Sequence, residues 1–203
     1  MVTRTENAAA TRRALLDAAG ALLDTGGPEA VTLREVGARA GVSRSAPYGH
    51  FANKDSLLMA LAAETWDSVG DALEELAARP DSPPSTLRHA LISLITLGRA
   101  RPHLYRLMFT TPAADPTAAM QAAGRTQDLF LAIVTRVVGP ERSRQDAALL
   151  LANAHGLTSL DLSGHLTFDK WQTTAEDLVE RLIGLLPQHR FPPASATSRR
   201  RSG

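Results

Sequence analysis

The chain has 203 residues and no Cys, and its 22 basic and 21 acidic side chains leave a formal net charge of +1. That length suffices for a full core in one domain or two small ones, and the lack of Cys excludes disulfides, thiolate metal sites and cysteine nucleophiles. No apolar run approaches the roughly 20 residues of a membrane span and the first ten residues lack a signal-peptide core, so a soluble cytoplasmic protein with no membrane partner is expected.

In chain order, residues 1–7 read as a frayed arm carrying Arg4. Leu15, Ala18, Ala19, Leu22 and Leu23 recur at helical spacing, and Gly26-Gly27-Pro28 stops that helix. Thr32 followed by Glu35 predicts a capping box, and Leu33, Val36 and Ala40 give the helix it opens one apolar face. Gly41 can end that helix in the left-handed conformation and Ser43 can cap the next. Helices joined so tightly must cross steeply. In a DNA-binding pair of this kind the second helix enters the major groove, which places Arg44, Ser45 and Tyr48 where base edges and phosphates lie. Pro47 falls near the first turn of that helix, where its missing amide costs least. Leu15, Leu22, Val31, Leu33, Val36, Val42 and Phe51 are the expected core of these three helices.

Asn53 is a good cap for a long helix that carries Leu58, Leu61, Val69, Leu73 and Leu76 and ends at Arg79-Pro80. After a loop over residues 81–84, Leu87, Leu91, Leu94, Ile95 and Gly98 mark another helix, and Pro102 starts a short one through Tyr105, Leu107 and Met108. A second loop, Thr111 to Pro116, precedes a helix that reaches Gly139-Pro140. Residues 143–164 form one rich in small residues, and a capping box of Thr173 with Glu176 opens a last helix toward Pro187. The sum is an all-α fold of nine helices with no convincing strand. Residues 190–203 are polar, carry Arg199-Arg200-Arg201, and are expected to be a disordered basic tail.

Gly41-Val42-Ser43, Tyr48-Gly49-His50-Phe51 and Asn53-Lys54-Asp55 stand in the order and spacing of a known family, and here the chain resembles the TetR family of bacterial transcription regulators. The resemblance covers about the first quarter of the chain. It implies an all-α homodimer with a helix-turn-helix DNA-binding domain, residues 1–55, and a helical regulatory and dimerisation domain, residues 56–189. It also implies a double-stranded operator and a small-molecule effector as partners; no cofactor and no metal are expected from the residues. The segments Arg101-Pro102-His103-Leu104-Tyr105-Arg106-Leu107-Met108-Phe109 and Ala154-His155-Gly156-Leu157 resemble one TetR-like subgroup in particular.

Candidate DNA contacts follow. A guanidinium can donate two hydrogen bonds to guanine, so Arg44 is the first choice for base readout, with a phosphate contact as the plain alternative. Arg34 has the same two options, with phosphate favoured. Tyr48, His50 and Lys54 match positions at which the family grips the sugar-phosphate backbone. The alternatives there are a packed Tyr, a surface His and a solvated Lys. Thr32, Ser43 and Ser45 complete the candidate surface with hydroxyls. For a ligand pocket the candidates, on the interior faces of the middle helices, are Trp66, Tyr105, Met108, Phe109, Phe130 and His155, although an aromatic or Met at helical spacing is more often plain core. Asp161 and His165 stand four apart, but two ligands make no metal site.

A single module would bind DNA weakly, so two copies joined through the last two helices are expected to present recognition helices about 34–36 Å apart. The function expected is a repressor that leaves its operator when the effector binds. Control by a protein partner in place of a small molecule is one alternative, and an enzyme built on the helical domain is another. No nucleophile–base ordering, phosphate loop or metal cluster supports the enzyme.

Overall fold

The computed structural model describes residues 3–110 and 115–187. Among the described residues there is no strand, and ten α-helices follow one another. They are α1 (Arg4–Gly26), α2 (Leu33–Arg39), α3 (Ala46–His50), α4 (Lys54–Ala78), α5 (Pro83–Ala100), α6 (Pro102–Met108), α7 (Thr117–Val138), α8 (Ser143–Leu162), α9 (Phe168–Trp171) and α10 (Ala175–Gly184). A 3-10 turn, Pro28–Ala30, joins α1 to α2.

The all-α expectation holds, with ten helices among the described residues in place of nine. The additional one is α9, a single turn followed by Gln172 in the left-handed region at φ 50°. Four residues are too few to show a period. Of the expected frayed arm, Arg4 to Asn7 are helical instead, because Thr3 and Glu6 form a reciprocal capping box that opens α1 at Arg4, while residues 1 and 2 lie outside the described residues. At α2 only half of the expected box forms: the Thr32 hydroxyl accepts from the Glu35 amide at 3.1 Å. The box before the last helix is displaced by one residue, with Thr174 and Asp177 as its members, which leaves Glu176 for another partner. The basic tail lies outside the described residues, as does most of the loop before α7.

Two cores share α4. Near its start Leu57, Leu58 and Leu61 pack with Leu15, Leu16, Leu23, Val31, Leu33, Val36 and Phe51 in the core of the first helices. Leu22 and Val42, also expected there, are only partly buried at its edge. Toward the end of α4, Leu73 and Leu76 enter a larger core formed with α5, α7, α8 and α10. Between the two cores Ala63, Trp66, Met108 and Ala122 make a third, small cluster. Leu104 of α6 is fully buried in the first core, far in sequence from its other members. At the middle of α4 the Thr126 hydroxyl of α7 donates to the Trp66 carbonyl at 2.8 Å. Helix α4 is thus a rod common to both halves.

Candidate functional site

The helix-turn-helix depends first on how α2 ends. The Val42 amide donates to the Gly37 carbonyl and the Gly41 amide to the Ala38 carbonyl, both at 3.2 Å, with Gly41 at φ 68°. These two bonds close the helix in a Schellman motif, whose left-handed residue glycine occupies without a Cβ clash. Helix α3 then starts at Ala46, five residues long, with Ser45 as its cap residue and no side-chain cap. Ser43 therefore does not cap it, contrary to expectation; its hydroxyl lies 3.5 Å from that of Ser45, and both residues are exposed. Pro47 sits in the first turn, as its chemistry requires, and is buried. A Cβ at Gly37 would come within 2.8 Å of the Pro47 ring, so the absence of a side chain there sets how closely α2 and α3 approach.

That packing leaves other side chains of the motif outside. Tyr48 is 60% exposed, which excludes the packed alternative. Thr32, Arg34 and Arg44 are exposed, while His50 and Lys54 are half-buried. Among the described residues, none of Arg34, Arg39, Arg44 and Lys54 takes part in an ion pair. Lys54 opens α4 beside Asn53, whose side chain and that of Ser56 form a reciprocal capping box, and this fixes where the lysine stem leaves the helix. The eight candidate DNA residues thus lie at the start of α2, on α3, in the turn between them and at the start of α4.

The candidate ligand residues divide. Trp66, Tyr105, Phe109 and His155 form one aromatic cluster, with Phe109 5.4 Å from Trp66, 5.0 Å from Tyr105 and 4.3 Å from His155 between ring centroids. Met108 clusters with Trp66. The Tyr105 hydroxyl lies 2.8 Å from His155 Nδ1, and burial pushes its phenol up from the ordinary value while the neighbouring Thr158 hydroxyl opposes the rise. Phe109, expected on an interior face, is 37% exposed at the end of α6. Phe130 is not in this cluster; it belongs to the larger core and shares with Trp66 the lining of a cavity of about 40 Å³. That volume has room for a few water molecules and not for a drug-sized ligand. Asp161 accepts from Arg99 Nε at 2.6 Å, and His165 Nδ1 lies 3.0 Å from the Ser163 hydroxyl, so each is engaged elsewhere.

Some residues that tie the halves together carry no signal in the sequence. Arg101, between α5 and α6, donates from Nε to both Asp24 oxygens of α1 at 3.2 and 2.9 Å. Gly20 leaves room for this guanidinium, since a Cβ there would meet it at 3.0 Å. With Leu104 buried in the first core, α6 is anchored to that core and carries Tyr105 to the aromatic cluster. Arg101 and Asp24 are 77 residues apart, and no local pattern announces such a pair.

Known proteins share this architecture. Residues 15–61 match the family model for bacterial regulatory proteins of the tetR family, and residues 94–186 match the tetracyclin repressor-like C-terminal domain. The HTH-type transcriptional regulator AcrR of Shigella flexneri is 34% identical over 91 residues, which is 44% of this chain and 42% of that protein, so the match spans less than half of that relative. A protein of unknown function from Rhodococcus sp. RHA1 superposes with a TM-score of 0.73 at 27% identity, over 86% of this chain and 92% of that one. A TetR transcriptional regulator, also from Rhodococcus sp. RHA1, gives 0.66 at 22%, over 89% and 97%. The regulator FadR from Bacillus subtilis, solved in complex with stearoyl-CoA, gives 0.60 at 14%, over 85% and 96%. These last two are likenesses of fold alone. With both halves matched in the order in which the fold presents them, the chain belongs to the TetR family, whose members are DNA-binding transcriptional regulators and not enzymes.

Proposed function

We propose that the protein is a homodimeric repressor that holds a pseudo-palindromic operator through two copies of the α2–α3 surface and leaves it when a small molecule binds. The observation that carries this proposal is the set of cations, Arg34, Arg44 and Lys54, that have no acidic partner among the described residues and accompany an exposed Tyr48. Guanidinium and ammonium groups left unpaired on such a motif are available to phosphates. Arg44, at the entry to α3, reads a base edge; Arg34, Tyr48, His50 and Lys54 hold the backbone and set register, with Thr32, Ser43 and Ser45 beside them. Residues 1–55 act as the DNA-binding unit and 56–189 as the regulatory unit, with α4 as the lever between them.

The dimer is proposed to form through α8 and α10. Leu149 and Leu160 of α8 and Leu185 just beyond α10 are exposed, an apolar surface that a second copy would cover. Between these helices Leu157, Leu178 and Leu182 line a shallow groove with Arg181. Control by a protein partner is the second reading, and one observation favours it: the cavity beside Trp66 and Phe130, at about 40 Å³, is too small for a drug-sized molecule.

The test is a gel shift at fixed, stated salt on the DNA upstream of the gene and on a random-sequence library, with Arg44→Ala and Tyr48→Ala alongside. A specific shift that each substitution weakens by roughly 10-fold or more supports the proposal. A wild-type protein that selects no sequence from the library overturns it.

A further inference from the structure

We infer that the effector site of this regulator is the cleft between α1, α4 and α5, and that it takes a small amphipathic cation. The inference rests on the ligand-release reading above. The cleft has a volume of about 720 Å³, against about 40 Å³ for the cavity beside Trp66 and Phe130. Pockets for drug-sized molecules measure roughly 300–1,000 Å³. Its apolar lining comes from all three helices, with Leu16 from α1, Leu61 and Val69 from α4, and Leu94 and Leu97 from α5.

The remaining lining supplies the charge. Five carboxylates, Asp17, Asp24, Glu64, Asp67 and Asp71, face two guanidiniums, Arg13 and Arg101. Two further guanidiniums pair with this set, Arg12 with Glu64 and Arg125 with Asp71, and Arg125 also holds Glu74, so the balance is two net negative charges. Of the carboxylates that Arg125 holds, Asp67 is the weakest bound. It lies 3.8 Å from Arg125 Nη1, whereas Nη2 sits 2.9 Å from Asp71 and 3.0 Å from Glu74. A cation above the leucines gains Asp67 without displacing a strong pair; an anion meets carboxylates from α1 and α4 alike. Charge complementarity selects the head group and the apolar lining selects the tail.

Occupancy would reach the DNA-binding half directly. Helix α1 belongs to the first core, α5 to the larger one, and the Arg101–Asp24 pair that joins α1 to the end of α5 lines the cleft. A molecule wedged there favours whichever spacing of α1 and α5 opens the cleft, and linkage then requires DNA to weaken its binding by the same factor.

Calorimetry on the full chain tests the site with three decyl amphiphiles below their micelle concentrations: decyltrimethylammonium, the net-neutral decyldimethylamine oxide, and decyl sulfate. Asp67→Asn and Ala72→Trp, both at exposed positions on α4, are measured beside the wild type, with thermal unfolding as the check on folding. The cation is expected to bind about fivefold more tightly than the amine oxide, Asp67→Asn to remove roughly that factor, and Ala72→Trp to abolish binding by filling the cleft. Equal binding of the three amphiphiles, or an undiminished affinity in Ala72→Trp, overturns the inference. A gel shift with the cation present separates the two readings: cation binding without any specific DNA complex sinks the repressor and leaves the cleft, whereas a specific complex with no cation binding sinks the cleft alone.

Discussion

The surface around α3 and the junction between the two halves use the same side chain in opposite ways. At the junction three guanidiniums are held across helices: Arg12 by Glu64, Arg101 by Asp24, Arg125 by Asp71 and Glu74. Farther on, Arg99 binds Asp161 of α8 and Glu176 of α10 together. On the helix-turn-helix Arg34, Arg39 and Arg44 have no such partner among the described residues. The paired arginines are committed to internal geometry, and those on α2 and in the turn before α3 are available for the DNA contacts proposed above. Net charge conceals this, since residues 1–55 carry 7 basic and 6 acidic groups.

The largest effect is expected at the buried link between the halves. Leu104→Ala empties a fully buried position in the first core, and should lower stability by about 2–5 kcal/mol in chemical denaturation. Loss of protection among α1 amides in hydrogen exchange, as well as those of α6, is expected; a response confined to α6 would show that the first core does not depend on it. Arg34→Ala probes the open surface more gently. It should leave stability within the range of about ±0.5 kcal/mol usual for surface changes and reduce the salt dependence of DNA binding by about one phosphate contact. An unchanged salt slope would return Arg34 to plain solvent exposure.

The smallest effect expected is a pH dependence. Hydrogen bonding to Arg99 holds the Glu176 carboxyl below its ordinary value of 4.5, with burial opposing it. A depressed folded value means stability that is present above the unfolded value and is lost as the pH falls through the folded one. Because the Glu176 side chain is 36% exposed, screening limits the contribution to roughly 0.5 kcal/mol. Thermal melts between about pH 5 and 3 should therefore fall slightly less steeply for Glu176→Gln than for the wild type. Parallel curves would show that the ion pair contributes nothing measurable.

Local sequence decides whatever is settled within a few residues. The end of α2 at Gly41, the cap of α4 at Asn53, the placement of Pro47 and the apolar periods of α4, α5 and α7 all follow from bonds and contacts spanning about five positions. Sequence is ambiguous where two local solutions compete, as Thr173 and Thr174 do for the last cap, or where an element is as short as α9. Packing alone decides that Leu104 joins the first core, that Phe130 stands apart from the other aromatics, and which arginines are paired. It also leaves a small cavity beside Trp66 and Phe130 and the spacious cleft between α1, α4 and α5. The reason is physical. Tyr105 and His155 are 50 positions apart, Asp24 and Arg101 77, and Arg88 and Glu180 92, and side-chain chemistry at one end of such a pair carries no record of its partner until packing brings them together.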